Sequence, residues 1–365
     1  MNDDALLQLL ESQTSINGRF SKLQRIVTSP GGGGQFSLVF KAIDNVTCKE
    51  VVLKFDHPTE PWAYRHECFE REAAVLEKFR GQQNIVQLIE GISSFTFPIP
   101  LPTGGSLSFQ FRFIALEKAR FSLFEYMHQP KKKYGPLRNL IYFREVCKGV
   151  QRLHSEKVCH RDLKPQNCLV LTGSSVALGD LGTAKTLYYD GRIPSPTANY
   201  HEPVGDKRYT APELLCCLDS NNDIALAADI YSLGAILFEL FVRTDLSAYL
   251  YSIHEINDKM IYRFSQISED KRKQVFDATI GALEAARPLP NIEDVAPDGA
   301  IPESIRIRLN RLYKGLATLD YRKRIKGFES IFLQLELMTR VLVSELKQTR
   351  RAQFKARMKA AARTT

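Results

Sequence analysis

The chain has 365 residues, 44% of them hydrophobic and 25% charged. That is a globular composition, long enough for roughly two domains, and it excludes disordered, collagenous and coiled-coil classes. The formal net charge is +9, but Lys347, Arg350, Arg351, Lys355, Arg357, Lys359 and Arg363 carry most of it near the C-terminus with no acid among them, so the body is nearly neutral.

In chain order, residues 1–22 form an N-terminal extension whose leucines, Leu6, Leu7, Leu9 and Leu10, suit a short helix docked on the body. Residues 23–118 are strand-rich: 36–42 and 51–55 are β-branched and aromatic runs on either side of Asp44-Asn45, a hairpin turn. A helix follows over 65–80. Two further apolar segments, 85–92 and 109–116, are split by an insert with Pro98, Pro100, Pro102, Gly104 and Gly105, which reads as a loop.

Residues 119–340 read mainly as helices. Leu137, Leu140, Ile141, Cys147, Val150 and Leu153 recur at helical spacing. Residues 225–242 are apolar nearly all round, the mark of a buried helix; Asp229 and Glu239 within it argue against a membrane. A proline-rich loop over 287–302 separates the late helices, and no internal repeat is present.

The tail, 341–365, is either a solvated helix end or a weak attractor of nucleic acid or an anionic surface through salt-sensitive contacts. No run of about 18 apolar residues suggests a membrane span. The acidic start Met1-Asn2-Asp3-Asp4 does not resemble a secretory leader, and the 7 cysteines form no C-x-x-C pair. A cytoplasmic protein with reduced thiols is expected.

Three features bear chemistry. In the run Pro30-Gly31-Gly32-Gly33-Gly34-Gln35-Phe36-Ser37-Leu38-Val39, between two strands, glycines either let backbone amides close over an anion or simply make a flexible turn. Glu72 lies in a helical stripe with Phe69, Leu76 and Phe79, where an unpaired carboxylate costs several kcal/mol, so a cation should meet it. Lys54, at the end of Val51-Val52-Leu53, is the natural partner; otherwise Glu72 is an ordinary solvated glutamate.

The third is His160-Arg161-Asp162-Leu163-Lys164-Pro165-Gln166-Asn167, followed by a strand, the turn Thr172-Gly173-Ser174-Ser175, a second strand and Gly179-Asp180-Leu181-Gly182. The midpoint of positions 167 and 180 is 173.5, within that turn, so in an antiparallel hairpin Asn167 and Asp180 face each other at its open end. Two oxygen ligands so placed suit a hard cation such as Mg2+ that bridges phosphates. Asp162 is then one turn away, free to accept a proton or orient a hydroxyl.

These motifs, in this order, resemble the eukaryotic-type protein kinases over roughly residues 25–335. The resemblance implies an α+β, two-lobed kinase fold: a small antiparallel-sheet N-lobe with one key helix, and a larger, mainly helical C-lobe. It implies ATP and Mg2+ as cofactors. Gly32, Gly34 and Val39 match the glycine-rich loop, with Ser37 in place of its third glycine. Lys54 matches the lysine that holds the α and β phosphates, with Glu72 as its helix partner. Glu117 and Ala119 fall at the hinge whose backbone binds the adenine edge, and Val39, Val52 and Leu169 at the sandwich around the ring.

Asp162 matches the catalytic aspartate, Lys164 the lysine that steadies the transferred phosphate, and Asn167 and Asp180 the metal ligands. Leu181 replaces the usual phenylalanine and, with Leu76, Leu88 and His160, can complete the apolar stack holding the helix. Glu213 of Ala211-Pro212-Glu213 is expected to pair with Arg324, and Asp229 to anchor the catalytic loop unless it is a helix N-cap. Lys164 argues for serine or threonine substrates on proteins, with a regulatory protein partner possible.

Two positions depart from the family. Asp206 stands where a threonine or serine is usual, and an inward carboxylate there needs Lys164 or Lys207 to balance it. Glu202 stands near the usual activating phosphosite, where it either pairs with Arg161 in place of a phosphate or is an ordinary glutamate, with regulation at Thr197, Tyr200, Thr186 or Ser195. The reading is a serine/threonine protein kinase; the alternatives are a pseudokinase that acts as an interaction module and, disfavoured by Ala-Pro-Glu, a small-molecule phosphotransferase.

Overall fold

The N-terminal leucines fold as α1 (Asp3–Glu11), whose Leu7 and Leu10 are buried against a sheet. The computed structural model describes residues 3–26, 37–56, 63–100, 105–129, 135–188, 193, 204–218 and 222–361. Six antiparallel strands form that sheet: β1 (Ser15–Ile16), β2 (Phe20–Arg25), β3 (Ser37–Asp44), β4 (Lys49–Asp56), β5 (Leu88–Pro100) and β6 (Ser106–Glu117), in the order β1-β2-β3-β4-β6-β5. Alternation makes it two-faced. Leu38, Phe40 and Ala42 of β3, Val51, Leu53 and Phe55 of β4, and Phe111, Phe113 and Ala115 of β6 share one core with Ile16 and Phe20. Phe40 meets Phe55, and Phe20 meets Phe113, edge to face at 5.8 and 5.9 Å, contacts that add about 1 kcal/mol each beyond burial. The 1–22 segment is therefore not an extension set apart: Ile16 and Phe20 are core residues, and the boundary expected at 22/23 falls inside β2.

The insert read as a loop is a correction. β5 runs to Pro100 and β6 restarts at Ser106, with Phe95 opposite Phe111, Phe97 opposite Phe109 and Pro98 opposite Ser108. Prolines argue against a strand only where the ladder needs their N–H. β5 is an edge strand, and positions 98 and 100 share one side of it.

The turn after β3 is held by Asp44, which is fully buried. Its carboxylate accepts from Val46 N and Thr47 Oγ1, and from Arg19 Nε and Nη2 at 3.0 and 3.1 Å; Arg19 Nη1 reaches Glu90 on β5. The Arg19 guanidinium chiefly holds Asp44 down at about 2, below its ordinary value of 3.8. A carboxyl depressed by folding contributes stability above about pH 4, lost as pH falls towards 2. Asp44→Asn is therefore expected to lower the urea midpoint at pH 7, by the equivalent of about 2 kcal/mol, with the gap closing between pH 4 and 2. An equal gap at pH 7 and pH 3 would show that charge is not the source.

The described chain divides into two units, Met1–Phe124 with Ser155–Asn199 and Glu125–His154 with Tyr200–Thr365. The first contains α2 (Ala63–Lys78), close to the helix read over 65–80, and the short strands β7 (Phe121–Ser122), β8 (Val158–Cys159), β9 (Cys168–Val170), β10 (Val176–Leu178) and β11 (Lys185–Thr186). Segment 155–199 groups with the sheet and not with the later helices. β9 pairs with β7, Val86 N donates to Leu178 O, Leu178 N donates to Asn84 O, and residues 181–183 pack on α2.

The second unit is helical: α3 (Leu123–His128, which begins in the first unit), α4 (Pro136–Ser155), α5 (Pro212–Leu215), α6 (Asn222–Val242), α7 (Ser247–Leu250), a π-helix at Glu255–Tyr262 continuing into α8 (Arg263–Ser265), α9 (Glu269–Ala286), α10 (Ile292–Val295), α11 (Glu303–Ala317) and α12 (Phe328–Ala361). Helix α10 lies in the stretch read wholly as loop, because Ile292 finds a fully buried site. Among the described residues α6 alone is long and apolar enough to cross a membrane, and it is buried in protein. A Cβ on Gly234 of α6 would lie 2.7 Å from Ala317 of α11, so only glycine allows the two helices to approach this closely. The boundary expected at 340/341 falls within α12, whose residues 344–358 are exposed.

Candidate active site

The alternation that sends Val51, Leu53 and Phe55 into the core turns Val52 and Lys54 to the opposite face, with Val39 of β3 directly across from Lys54. Lys54 Nζ donates to Glu72 Oε2 at 2.5 Å and to Asp180 Oδ1 at 2.9 Å. Glu72 is 2% exposed and belongs to the stripe with Phe69, Leu76 and Phe79, all buried, so it is not a solvated glutamate.

Burial raises the Glu72 carboxyl above the ordinary range, against the pull of Lys54. The Lys54 ammonium draws Asp180 down to about 2. Burial alone would lower Lys54, but the charges of Asp180 and Glu72 outweigh it and hold the ammonium above its usual value. The cation is thus fixed between a buried carboxylate and an exposed one.

Asp162 lies beside this cluster in sequence order but is organised locally. Its Oδ2 accepts from Lys164 Nζ at 2.8 Å and from Asn167 Nδ2 at 3.1 Å, and its carbonyl accepts from the same amide at 2.8 Å. His160 is fully buried; its Nδ1 accepts from Asp162 N at 3.3 Å and its Nε2 donates to Gly179 O at 3.1 Å. Arg161 and Asp180 both adopt left-handed backbone, φ 67° and 57°, at about 1 kcal/mol or more each.

The hairpin is one residue out of the expected register. Cys168 pairs with Leu178, and Gly179 N donates to Asn167 O, so Asn167 faces Gly179 and not Asp180. The physical reason is the turn: Leu171 N donates to Ser175 O, so three residues, Thr172–Ser174 with Gly173 and Ser174 at positive φ, close the hairpin and not four, while Asp180, beyond the last pair, turns its carboxylate to Lys54. Asn167 Oδ1 accepts no hydrogen bond among the described residues, and Asp180 Oδ2 likewise carries none.

Glu117 is half-buried at the end of β6. Its N–H donates to Gln87 O, its Oε1 accepts from Gln87 N at 2.8 Å, and burial raises its carboxyl. The Ala119 N–H donates to no other group among the described residues. Leu169 and Val86 close over Gly179, each 3.2 Å from where a Cβ would stand. Leu181, Leu76, Leu88 and His160 are all buried. Gly32 and Gly34 lie outside the described residues, as do Glu202, Ser195, Thr197 and Tyr200.

In the second unit, Arg324 pairs with Glu213 as expected, Nη2 to Oε2 at 2.8 Å. Asp229 is interior to α6, which excludes an N-cap, and meets His154 Nε2 at 2.9 Å. Asp206 is clasped by Arg208, Nη2 to Oδ2 at 2.7 Å, while Lys207 turns to Asn257. Tyr209 donates to Glu239, which burial pushes up to about 7.

Residues 27–348 match the protein kinase domain family. The chain belongs to the protein kinase family. Its fold is the two-lobed fold of that family, an antiparallel-sheet part followed by a mostly helical part. Two partners escaped the reading of this kinase's sequence: His154 on Asp229, and Arg71, a guanidinium 1% exposed that contacts Gly182. For Arg71 a signal existed, a charge among the apolar residues Cys68, Phe69, Ala73 and Val75 of one helix.

Proposed function

We propose that this kinase transfers the γ-phosphoryl group of ATP, with Mg2+, to serine or threonine hydroxyls of protein substrates. The observation that carries the reading is Lys54 held between Glu72 and Asp180. An ammonium so fixed presents positive charge for phosphate oxygens without having to reorganise. Asn167 Oδ1 and Asp180 Oδ2, two hard oxygens without other hydrogen-bond partners among the described residues, fit Mg2+ as its protein ligands. When bound, the ion supplies neutralisation of phosphate charge.

The other roles fall to the chain itself. Asp162, whose Oδ2 accepts from Lys164 and Asn167, orients the acceptor hydroxyl and takes its proton. Lys164 steadies the transferred group, and its presence supports serine or threonine acceptors. Val39, Val52 and Leu169 pack the adenine ring, and Glu117 and Ala119 offer its edge their backbone; the phosphate role of Gly32 and Gly34 rests on the sequence motif alone. Seven free cysteines suit a reducing cytoplasm.

Purified protein with γ-labelled ATP and Mg2+ should label a generic basic or acidic protein substrate, and hydrolysis of the product should yield phosphoserine or phosphothreonine. Lys54→Met should lower transfer about 100-fold or more. Phosphotyrosine alone would refute the acceptor class; nucleotide binding without transfer would replace the enzyme by a pseudokinase module.

A further inference from the structure

We infer that Arg71 is a positioning residue whose guanidinium holds the Gly182 carbonyl and so keeps Asp180 on Lys54; the inference rests on the kinase reading above. Arg71 Nη1 donates to Gly182 O at 2.6 Å, one residue along α2 from the Glu72 that meets Lys54.

The local architecture is built for this contact. A Cβ on Gly182 would stand 3.1 Å from Cys68 O, so the glycine lets α2 come close enough for its arginine to reach the carbonyl. Arg71 is 1% exposed, with Cys68 Sγ 3.7 Å from Nη1 and Glu67 Oε2 3.8 Å from Nη2. Burying a guanidinium is expensive, and apolar residues of similar volume commonly serve as well where only packing is needed. Leu181, fully buried, already supplies apolar adhesion between the segments.

What packing lacks is direction. Asp180 sits in left-handed backbone, φ 57° and ψ 62°, and its side chain makes no cap hydrogen bond to support that state. The segment that follows it must be oriented from outside, and Arg71 fixes its Gly182 C=O. Helix α2 thereby carries both Glu72, which meets Lys54, and the grip on the residues after Asp180, so the two carboxylates reach the ammonium together.

The test compares Arg71→Met, Arg71→Lys and, as a packing control on the same helix, Val75→Ala, in the full chain. The measurements are kcat, KM for ATP, melting temperature and amide hydrogen exchange. Arg71→Met is expected to lower kcat about tenfold, the rate equivalent of roughly one hydrogen bond to a charged group, with KM for ATP changed about threefold or less. Exchange should accelerate at amides 181–184 and in α2 while β3 and β4 keep their protection, and Arg71→Lys should recover part of kcat. Val75→Ala should lose melting temperature without that kcat loss. The inference is overturned if Arg71→Met keeps wild-type kcat and exchange at 181–184. It is also overturned if its kcat loss merely follows melting temperature as in Val75→Ala, with exchange raised throughout the sheet. If the wild type transfers no phosphate the kinase reading fails instead, and exchange at 181–184 still decides whether Arg71 holds that segment.

Discussion

Asp162→Asn is expected to reduce phosphoryl transfer by about 1,000-fold, within the range typical of a lost general base, while nucleotide affinity changes little. The substitution preserves shape. An asparagine oxygen in place of Oδ2 can still accept from Lys164 Nζ and from Asn167 Nδ2, so the hydrogen bonds that order residues 162–167 survive. What disappears is the basic carboxylate, only 9% exposed, that faces the acceptor hydroxyl in the proposed reaction. Lys54, Glu72 and Asp180 are untouched, which is why KM for ATP and the affinity measured by calorimetry should remain within a few-fold. Turnover within about tenfold of wild type would remove Asp162 from the reaction. A parallel collapse of nucleotide binding would show that the loop, and not the chemistry, had been damaged.

The parts of this site legible in the sequence are those where a residue violates its surroundings. Glu72 in an apolar stripe demanded a cation, and Lys54 supplies it. Asp229 in an apolar helix demanded a partner, but the pattern could not say that His154, far off in sequence, would be one. The hairpin after Asn167 was legible from its turn. Its register was not, because the hairpin closes over three residues, Thr172–Ser174, and not the four that the turn composition marks out, which shifts the count by one.

The long β5–β6 hairpin was hidden by its own prolines, which read as loop unless one already knows that the strand lies at an edge. Arg71 is an intermediate case: its place among Cys68, Phe69, Ala73 and Val75 signals burial, but its partner was not legible, because the close approach that sets its guanidinium on a carbonyl depends on Gly182, more than a hundred residues later.

The second large effect concerns folding. Arg324→Met is expected to destabilise the second unit by about 3–5 kcal/mol. A guanidinium has five N–H donors, and Arg324 uses them all: Nε on Thr318 O, Nη1 on Glu213 and Ala227 O, and Nη2 on Glu213 and Leu319 O. Glu213 and Arg324 side chains are 0% and 1% exposed. Methionine fills similar space but leaves a buried carboxylate unpaired and three carbonyls short of a donor. Against a typical total of about 5–15 kcal/mol such a loss is severe, and a fall in melting temperature of roughly 10 °C should register it. The charge left behind, and not the missing contact, carries most of the cost, so adding Glu213→Leu to Arg324→Met should restore part of the melting temperature. If the double variant melts lower than the single one by the full effect of Glu213→Leu alone, the two side chains act independently and the buried pair is not what holds the helices of this unit together.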